Sequence, residues 1–221
     1  MTETAIAILA KAPVPGTVRT PLIPTLGPDG AATLYERCTD HAITTALEAG
    51  LGPVELWCRP SMLNPFFAEM ARAHPITLRV QGNGDLGMRL FRTFEALLTA
   101  NPLAIVMGSN CPALLPVHLR MVAEALDDGY DAAFVPMDDG RCAAGGMRKA
   151  SEELFKDLSR TPGTVMDALK VRLRELRWRW LELPTLWDLD APSGFSRLAN
   201  DPLLRHLAED LVPAPRSRAA R

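Results

Sequence analysis

Five short segments hold most of the residues whose types and spacing suit chemistry. The first, Lys11-Ala-Pro-Val-Pro-Gly16-Thr-Val-Arg19-Thr-Pro21, places two cations around a glycine directly after a strand-like run. Lys and Arg neutralise phosphate oxygens, and glycine lets backbone approach a ligand closely. The segment lacks the G-x-x-x-x-G-K-[ST] spacing of a P-loop, so a P-loop ATPase has no support. A proline-stiffened surface loop with solvated charges fits the same residues. The second segment, Gln81-Gly82-Asn-Gly84-Asp85-Leu-Gly87, leads into a helical pattern. Asp85 suits the N-cap of that helix. A glycine-flanked helix N-terminus also receives an anion or the edge of a nucleobase.

The third segment, Gly108-Ser109-Asn110-Cys111-Pro112, follows the most apolar run of the chain. Ser109 or Asn110 can cap the next helix. Asn110 offers a divalent ion one neutral carbonyl oxygen, a poorer anchor than a carboxylate. The fourth, Asp138-Asp139-Gly140-Arg141, reads first as a hairpin turn, with catalysis by its acids as the second reading. The fifth is Asp188-Leu-Asp190. If that segment is extended, its two carboxylates face the same side, and they repel unless a cation or base lies between them. They form the best metal pair in the chain, with Asn110 as a weak third donor. Asp190 before Ala-Pro-Ser also resembles a helix start. Cys38, Cys58, Cys111 and Cys142 make no C-x-x-C pair, and the four histidines are scattered. Neither a zinc site nor a His-based triad is expected; reduced intracellular thiols are the simpler account.

The elements that must position these loops alternate between strand and helix. Apolar or β-branched runs predict strands at Thr4–Ala10, Val54–Cys58, Ile76–Val80, Leu103–Met107, Asp131–Pro136, Cys142–Met147 and Trp178–Leu183. Helices are expected at Asp29–Gly50, Met62–Ala73, Leu86–Ala100, Leu115–Leu126 and Thr164–Arg177. Two short ones follow, over Pro192–Asn200 and from Pro202 to Leu211. This alternation implies an α/β fold, a mostly parallel sheet with helices on both faces. In such a sheet ligands bind outside the carboxyl ends of the strands, and all five segments are expected at strand ends.

The 221 residues suit one α/β domain, here placed at residues 1–212 with a basic tail at 213–221. A net charge of −2 removes the general pull toward nucleic acid or anionic membranes. No apolar run reaches the roughly 18 residues of a membrane helix. The first strand-like run lacks the flanks of a secretory signal, so a cytoplasmic protein is expected.

Taken in order, the five segments resemble the bacterial glycosyltransferase-A-like family once catalogued as a domain of unknown function, also described as radical-SAM- and selenodomain-associated transferases. Its pattern runs A-K-x-P-x-x-G-x-x-K-T-R-L, Q-x-x-G-D-L-G-x-R-M, G-T-D-C-P-x-L, E-D-G-G-Y and D-x-D-T-P-E-D. The matching stretches are Ala10–Leu22, Gln81–Leu90, Gly108–Leu114, Asp138–Cys142 and Asp188–Gly194. The resemblance implies a nucleotide-diphospho-sugar transferase fold, a three-layer α/β/α sandwich around a mixed sheet. It also implies transfer from a nucleotide or nucleotide-sugar donor to an undefined small-molecule acceptor, with Mg2+ or Mn2+. Carried over by position, Lys11, Gly16 and Arg19 would bind donor phosphates. Gly82, Gly84 and Asp85 would shape the nucleoside pocket. Asp139 would face the acceptor, and Asp190, with Asp188 and weakly Asn110, would hold the metal. The sequence departs from the pattern at Pro21 (Arg), Asn110 (Asp), Arg141-Cys142 (Gly-Tyr) and Ser193-Gly194 (Glu-Asp). These departures carry the alternative, a catalytically degenerate nucleotide- or anion-binding or regulatory protein on the same fold.

Overall fold

The computed structural model describes residues 2–158, 163–190 and 192–211. The expected basic tail lies outside the described residues. Seven strands form one sheet: β1 (Thr4–Lys11), β2 (Val54–Arg59), β3 (Thr77–Val80), β4 (Leu103–Gly108), β5 (Ala132–Pro136), β6 (Cys142–Met147) and β7 (Trp180–Glu182). Their order is β3-β2-β1-β4-β6-β5-β7. Only β6 runs against its neighbours, pairing antiparallel with β4 and β5. The helices are α1 (Ile23–Ala49), α2 (Pro65–Ala73), α3 (Leu86–Ala100), α4 (Pro116–Asp127), α5 (Glu152–Phe155), α6 (Val165–Glu175) and α7 (Pro192–Asn200).

The unbroken apolar runs of β1 and β4 follow from their place in the sheet, because central strands are covered on both faces. Ile6, Ile8, Ile105 and Met107 enter one apolar layer with Ile43 of α1, Phe67 of α2 and Val122 of α4. Their neighbours Ala5, Ala7, Ala104 and Val106 enter the opposite layer with Phe94 of α3, Phe155 of α5 and Leu169 of α6. These are the two cores of an α/β/α sandwich. A third apolar cluster joins Leu22, Leu26 and Leu34 to Trp187, Leu189, Phe195 and Leu198. It holds the loop after β1 against the loop that follows β7, which are far apart in sequence.

Several elements differ from their sequence-based bounds. α1 begins at Ile23 but breaks at Gly27 (φ 72°, ψ 169°), so its regular part starts at Pro28. α2 starts at Pro65 rather than Met62, because the Asn64 side chain accepts from the Phe66 N–H and caps it. The stretch expected as a helix from Pro202 to Leu211 contains only a 3-10 turn at Arg205–Ala208. Leucines three apart, Leu204 and Leu207, suit that tighter winding.

Candidate functional site

The carboxyl ends of β1, β3, β4 and β5 bring four of the five segments to one edge. The fifth joins them through pairing beyond the strands. Met137 bridges Leu186 in parallel, Asp138 N–H donates to the Leu186 carbonyl at 2.9 Å, and the Asp138 carboxylate accepts from the Asp188 N–H at 3.1 Å. Two glycines permit the arrangement. A Cβ at Gly140, where φ is +79°, would lie 2.3 Å from the Thr164 side chain, and one at Gly194 would lie 2.4 Å from the Asp188 carbonyl oxygen.

Arg19 is the interior cation. Its backbone is left-handed (φ 48°, ψ 37°), a conformation costing an L-residue roughly 1–2 kcal/mol. That turn sends the guanidinium inward, where the side chain is 1% exposed. Nη1 donates to Asp190 Oδ1 at 2.6 Å and Nη2 to the Ser109 carbonyl at 2.8 Å. The guanidinium lies 5.9 Å from the Tyr35 ring centroid, and the Tyr35 hydroxyl accepts from the Lys11 N–H at 2.7 Å.

Arg141 is the second cation. Its Nη2 donates to Asp188 Oδ2 at 2.6 Å and Asp190 Oδ2 at 2.7 Å. Its Nε donates to Asp139 Oδ2, and its backbone N–H donates to Asp139 Oδ1 at 2.9 Å. Asn110 Nδ2 approaches Asp190 Oδ2 at 3.4 Å. Burial pushes the Asp190 carboxyl upward, but Arg19 and Arg141 outweigh it and hold it below the usual aspartate range. Burial, reinforced by the Asp190 charge, raises Asp188. Burial also opposes the Arg141 charge, yet Asp139 and Asp190 prevail and raise that guanidinium further.

A cavity of about 460 Å³ opens beside this network. Lys11, Arg19, Asn110 and Asp190 line it together, with Pro21 and Arg141. Gly16, Gly82, Gly84, Asp85, Asp139 and Asp188 are not among its lining residues. Asp139 and Asp188 are joined to it through Arg141. Asp85 caps α3, its carboxylate accepting from the Met88 N–H at 2.9 Å. The reading of Asp190 as a helix cap turns on residue 191, outside the described residues.

Sequence reasoning passed over three lining residues. Gln81 is buried and donates to the Ala10 and Trp57 carbonyls at 3.0 and 2.7 Å. Its Oε1 accepts from Arg89 Nη1 at 2.6 Å. Burial and nearby Arg59 lower the Arg89 guanidinium, so an anion there would relieve a charge held at a cost. Both residues stand in the quoted second pattern, and Arg89 lies one helical turn after Asp85, which was the available signal. Tyr35 carried no such signal.

The acids do not fit a divalent ion in this arrangement. Guanidinium N–H groups occupy both Asp190 oxygens and Asp188 Oδ2, and Asn110 turns an N–H toward Asp190. Among the described residues no three His, Cys, Asp or Glu side chains are grouped to hold a metal.

The strand order, the single reversed strand and a cavity at the carboxyl edge define a nucleotide-diphospho-sugar transferase-like, glycosyltransferase-A-type fold. The chain belongs to the family described as an uncharacterized protein conserved in bacteria (DUF2064), whose model matches residues 42–160. A crystal structure of a proposed nucleotide-diphospho-sugar transferase from Desulfovibrio desulfuricans G20 is similar at 25% identity and TM-score 0.76, covering 86% of this chain and 84% of that one. A Methanothermobacter nucleotidyl transferase is similar at 15% identity and TM-score 0.58, over 93% of this chain and 97% of that one. Glucosyl-3-phosphoglycerate synthase from Mycobacterium tuberculosis, in complex with Mn2+, UDP and glucosyl-3-phosphoglycerate, is similar at 12% identity and TM-score 0.53, over 85% and 71%. The last two likenesses speak for the fold alone. No curated protein matches the chain. No described helix is long and apolar enough to cross a membrane.

Proposed function

We propose that the chain is a nucleotide-diphospho-sugar transferase, of glycosyl- or nucleotidyl-transfer type, acting on a small-molecule acceptor. The observation that carries this reading is the cavity at the carboxyl edge, which Lys11 and Arg19 of the first segment, Arg89 of α3 and Arg141 of the fourth segment line together. The cations differ in what they have left to offer. Arg19 is spent on Asp190 and Ser109 and acts as a positioning residue. Lys11 is exposed, and although its backbone N–H is held by Tyr35, its ammonium makes no hydrogen bond or ion pair among the described residues. It takes the donor diphosphate with Arg89. In glycosyl transfer the acceptor hydroxyl oxygen bonds to the anomeric carbon as the bond to the diphosphate breaks; the electron pair leaves with the departing phosphate, on which negative charge grows, and the hydroxyl proton passes to that phosphate or to solvent. Fixed cations aimed at that charge lower the barrier. Asp139, joined to the cavity through Arg141, is the carboxylate assigned to the acceptor side. Cytoplasmic location and a single domain over residues 1–212 complete the reading.

A thermal-shift panel of nucleoside diphosphates and nucleotide sugars tests it. A ligand at a hundredfold its Kd adds about 2.7 kcal/mol, or roughly 5–11 °C for a domain of this size. No shift from any of them at millimolar concentration contradicts the reading. The engagement of Asp190 by two guanidinium groups favours a second reading, a degenerate binding or regulatory protein. Nucleotide-dependent shifts without release of nucleotide from any sugar donor would establish that reading instead.

A further inference from the structure

Two departures from the resembled pattern, Asn110 and Arg141, meet on one atom. Asn110 Nδ2 and Arg141 Nη2 both point at Asp190 Oδ2, at 3.4 and 2.7 Å. We propose that the Arg141 guanidinium is the built-in cation of this site: it fills the space between the Asp188 and Asp190 carboxylates that a divalent ion would need, and the cavity takes its diphosphate ligand without a divalent metal. The identity of the ligand rests on the transferase reading; the exclusion of metal does not.

The geometry is that of a tethered cation. Nη2 spans the two carboxylates at 2.6 and 2.7 Å, while Asp139 grips Nε and the backbone N–H. The charge between same-facing acids is therefore covalently attached to the chain and cannot dissociate. With Arg19 on Asp190 Oδ1, each of the two same-facing acids already has a guanidinium partner. An incoming divalent ion would have to break both Arg141 contacts and would meet the guanidinium charge in the space between them. Arg141 remains 37% exposed and lines the cavity. Its Nη1 makes no hydrogen bond among the described residues, so one edge of the fork is left for a phosphate oxygen. The Asp188 side chain is 6% exposed, and its Oδ1 has no hydrogen-bond partner. Removing the guanidinium would leave Asp188 Oδ2 with the Asp190 N–H alone, at 3.0 Å, and Asp190 Oδ2 with Asn110 alone, beside that oxygen, a hard-oxygen set suited to Mn2+ or Mg2+.

Mn2+ titration of the full chain, followed by electron paramagnetic resonance without nucleotide, tests the exclusion. The parent protein should leave Mn2+ free up to millimolar concentration. Arg141→Ser should bind it at least about tenfold more tightly, and Asp190→Asn added to that variant should abolish the gain. Arg141→Lys, which keeps a tethered charge, should resemble the parent, and it serves if Arg141→Ser does not fold. Micromolar Mn2+ binding by the parent, or a folded Arg141→Ser that gains none, overturns the proposal. In a second arm, calorimetry with UDP, CDP and GDP compares Mg2+ with EDTA. Affinities within about threefold support the proposal, and a loss beyond about tenfold in EDTA refutes it. Absence of heat in both conditions counts against the transferase reading, and the Mn2+ titration then decides this one alone.

Discussion

Replacing Asp190 by Ala strands the Arg19 guanidinium. That side chain is 1% exposed, and its hydrogen-bond acceptors are Asp190 Oδ1 at 2.6 Å and the Ser109 carbonyl at 2.8 Å. Removing one partner of a buried pair costs about 3–5 kcal/mol, because the remaining charge stays desolvated. For a domain of this length that is roughly 6–20 °C in Tm. The converse change should cost less. Arg19→Met leaves Asp190 with Arg141 at 2.7 Å and with 22% of its side chain exposed, so about 1–3 kcal/mol is expected. The double variant Arg19→Met/Asp190→Leu should be milder than Asp190→Ala, since neither charge is left alone. Chemical denaturation of the four proteins measures the series. An Asp190→Ala variant within about 1 kcal/mol of the parent would refute the reasoning, as would a double variant worse than Asp190→Ala.

The acids of the network respond to pH with opposite signs. Asp190 is held below its ordinary value, so its stabilisation is full above about pH 4 and is lost as pH falls through the native value. Asp188 is raised, so its charge costs stability near neutrality, and the cost is relieved as pH falls through its native value. Denaturation between pH 3 and 7 should accordingly flatten at its acid end in Asp190→Asn and not in Asp188→Asn. Asp85→Ala removes the cap on Met88 N–H and should cost about 0.5–2 kcal/mol, read as a lower Tm. Gly140→Ala meets Thr164 in a left-handed turn and should cost about 1–3 kcal/mol by the same assay. Burial raises the Cys58, Cys111 and Cys142 thiols to about 12. They should resist alkylation near neutral pH until the chain unfolds, as mass spectrometry of iodoacetamide-treated protein will show.

What was legible in the sequence was whatever is fixed by near neighbours. β1 and β4 read as buried strands because successive side chains enter opposite cores. α3 was legible to the residue, since Leu90, Phe94 and Leu97 share one face and Asp85 caps the start. α5 left too short a pattern, with four residues. The site was visible as five loops, but the identity of its ionic partners was not. Arg19 and Asp190 are 171 residues apart, and Arg141 reaches acids 47 and 49 residues on. No local pattern encodes such pairs; the sheet edge and the apolar cluster around Trp187 and Leu22 create them. Arg19 reads as a phosphate ligand by type and position, yet burial commits it to Asp190. Two same-facing acids do call for a cation between them, and that cation is a side chain of the chain itself.

Calorimetric titration of nucleoside diphosphates into the parent protein and Lys11→Ala tests the central claim, that the edge cavity is a diphosphate site, most directly. At least one diphosphate should bind the parent, and Lys11→Ala should weaken it about 10- to 150-fold, the equivalent of about 1.5–3 kcal/mol for one charged contact, with Tm unchanged. Binding of equal strength to both proteins, or to neither at millimolar concentration, would contradict it.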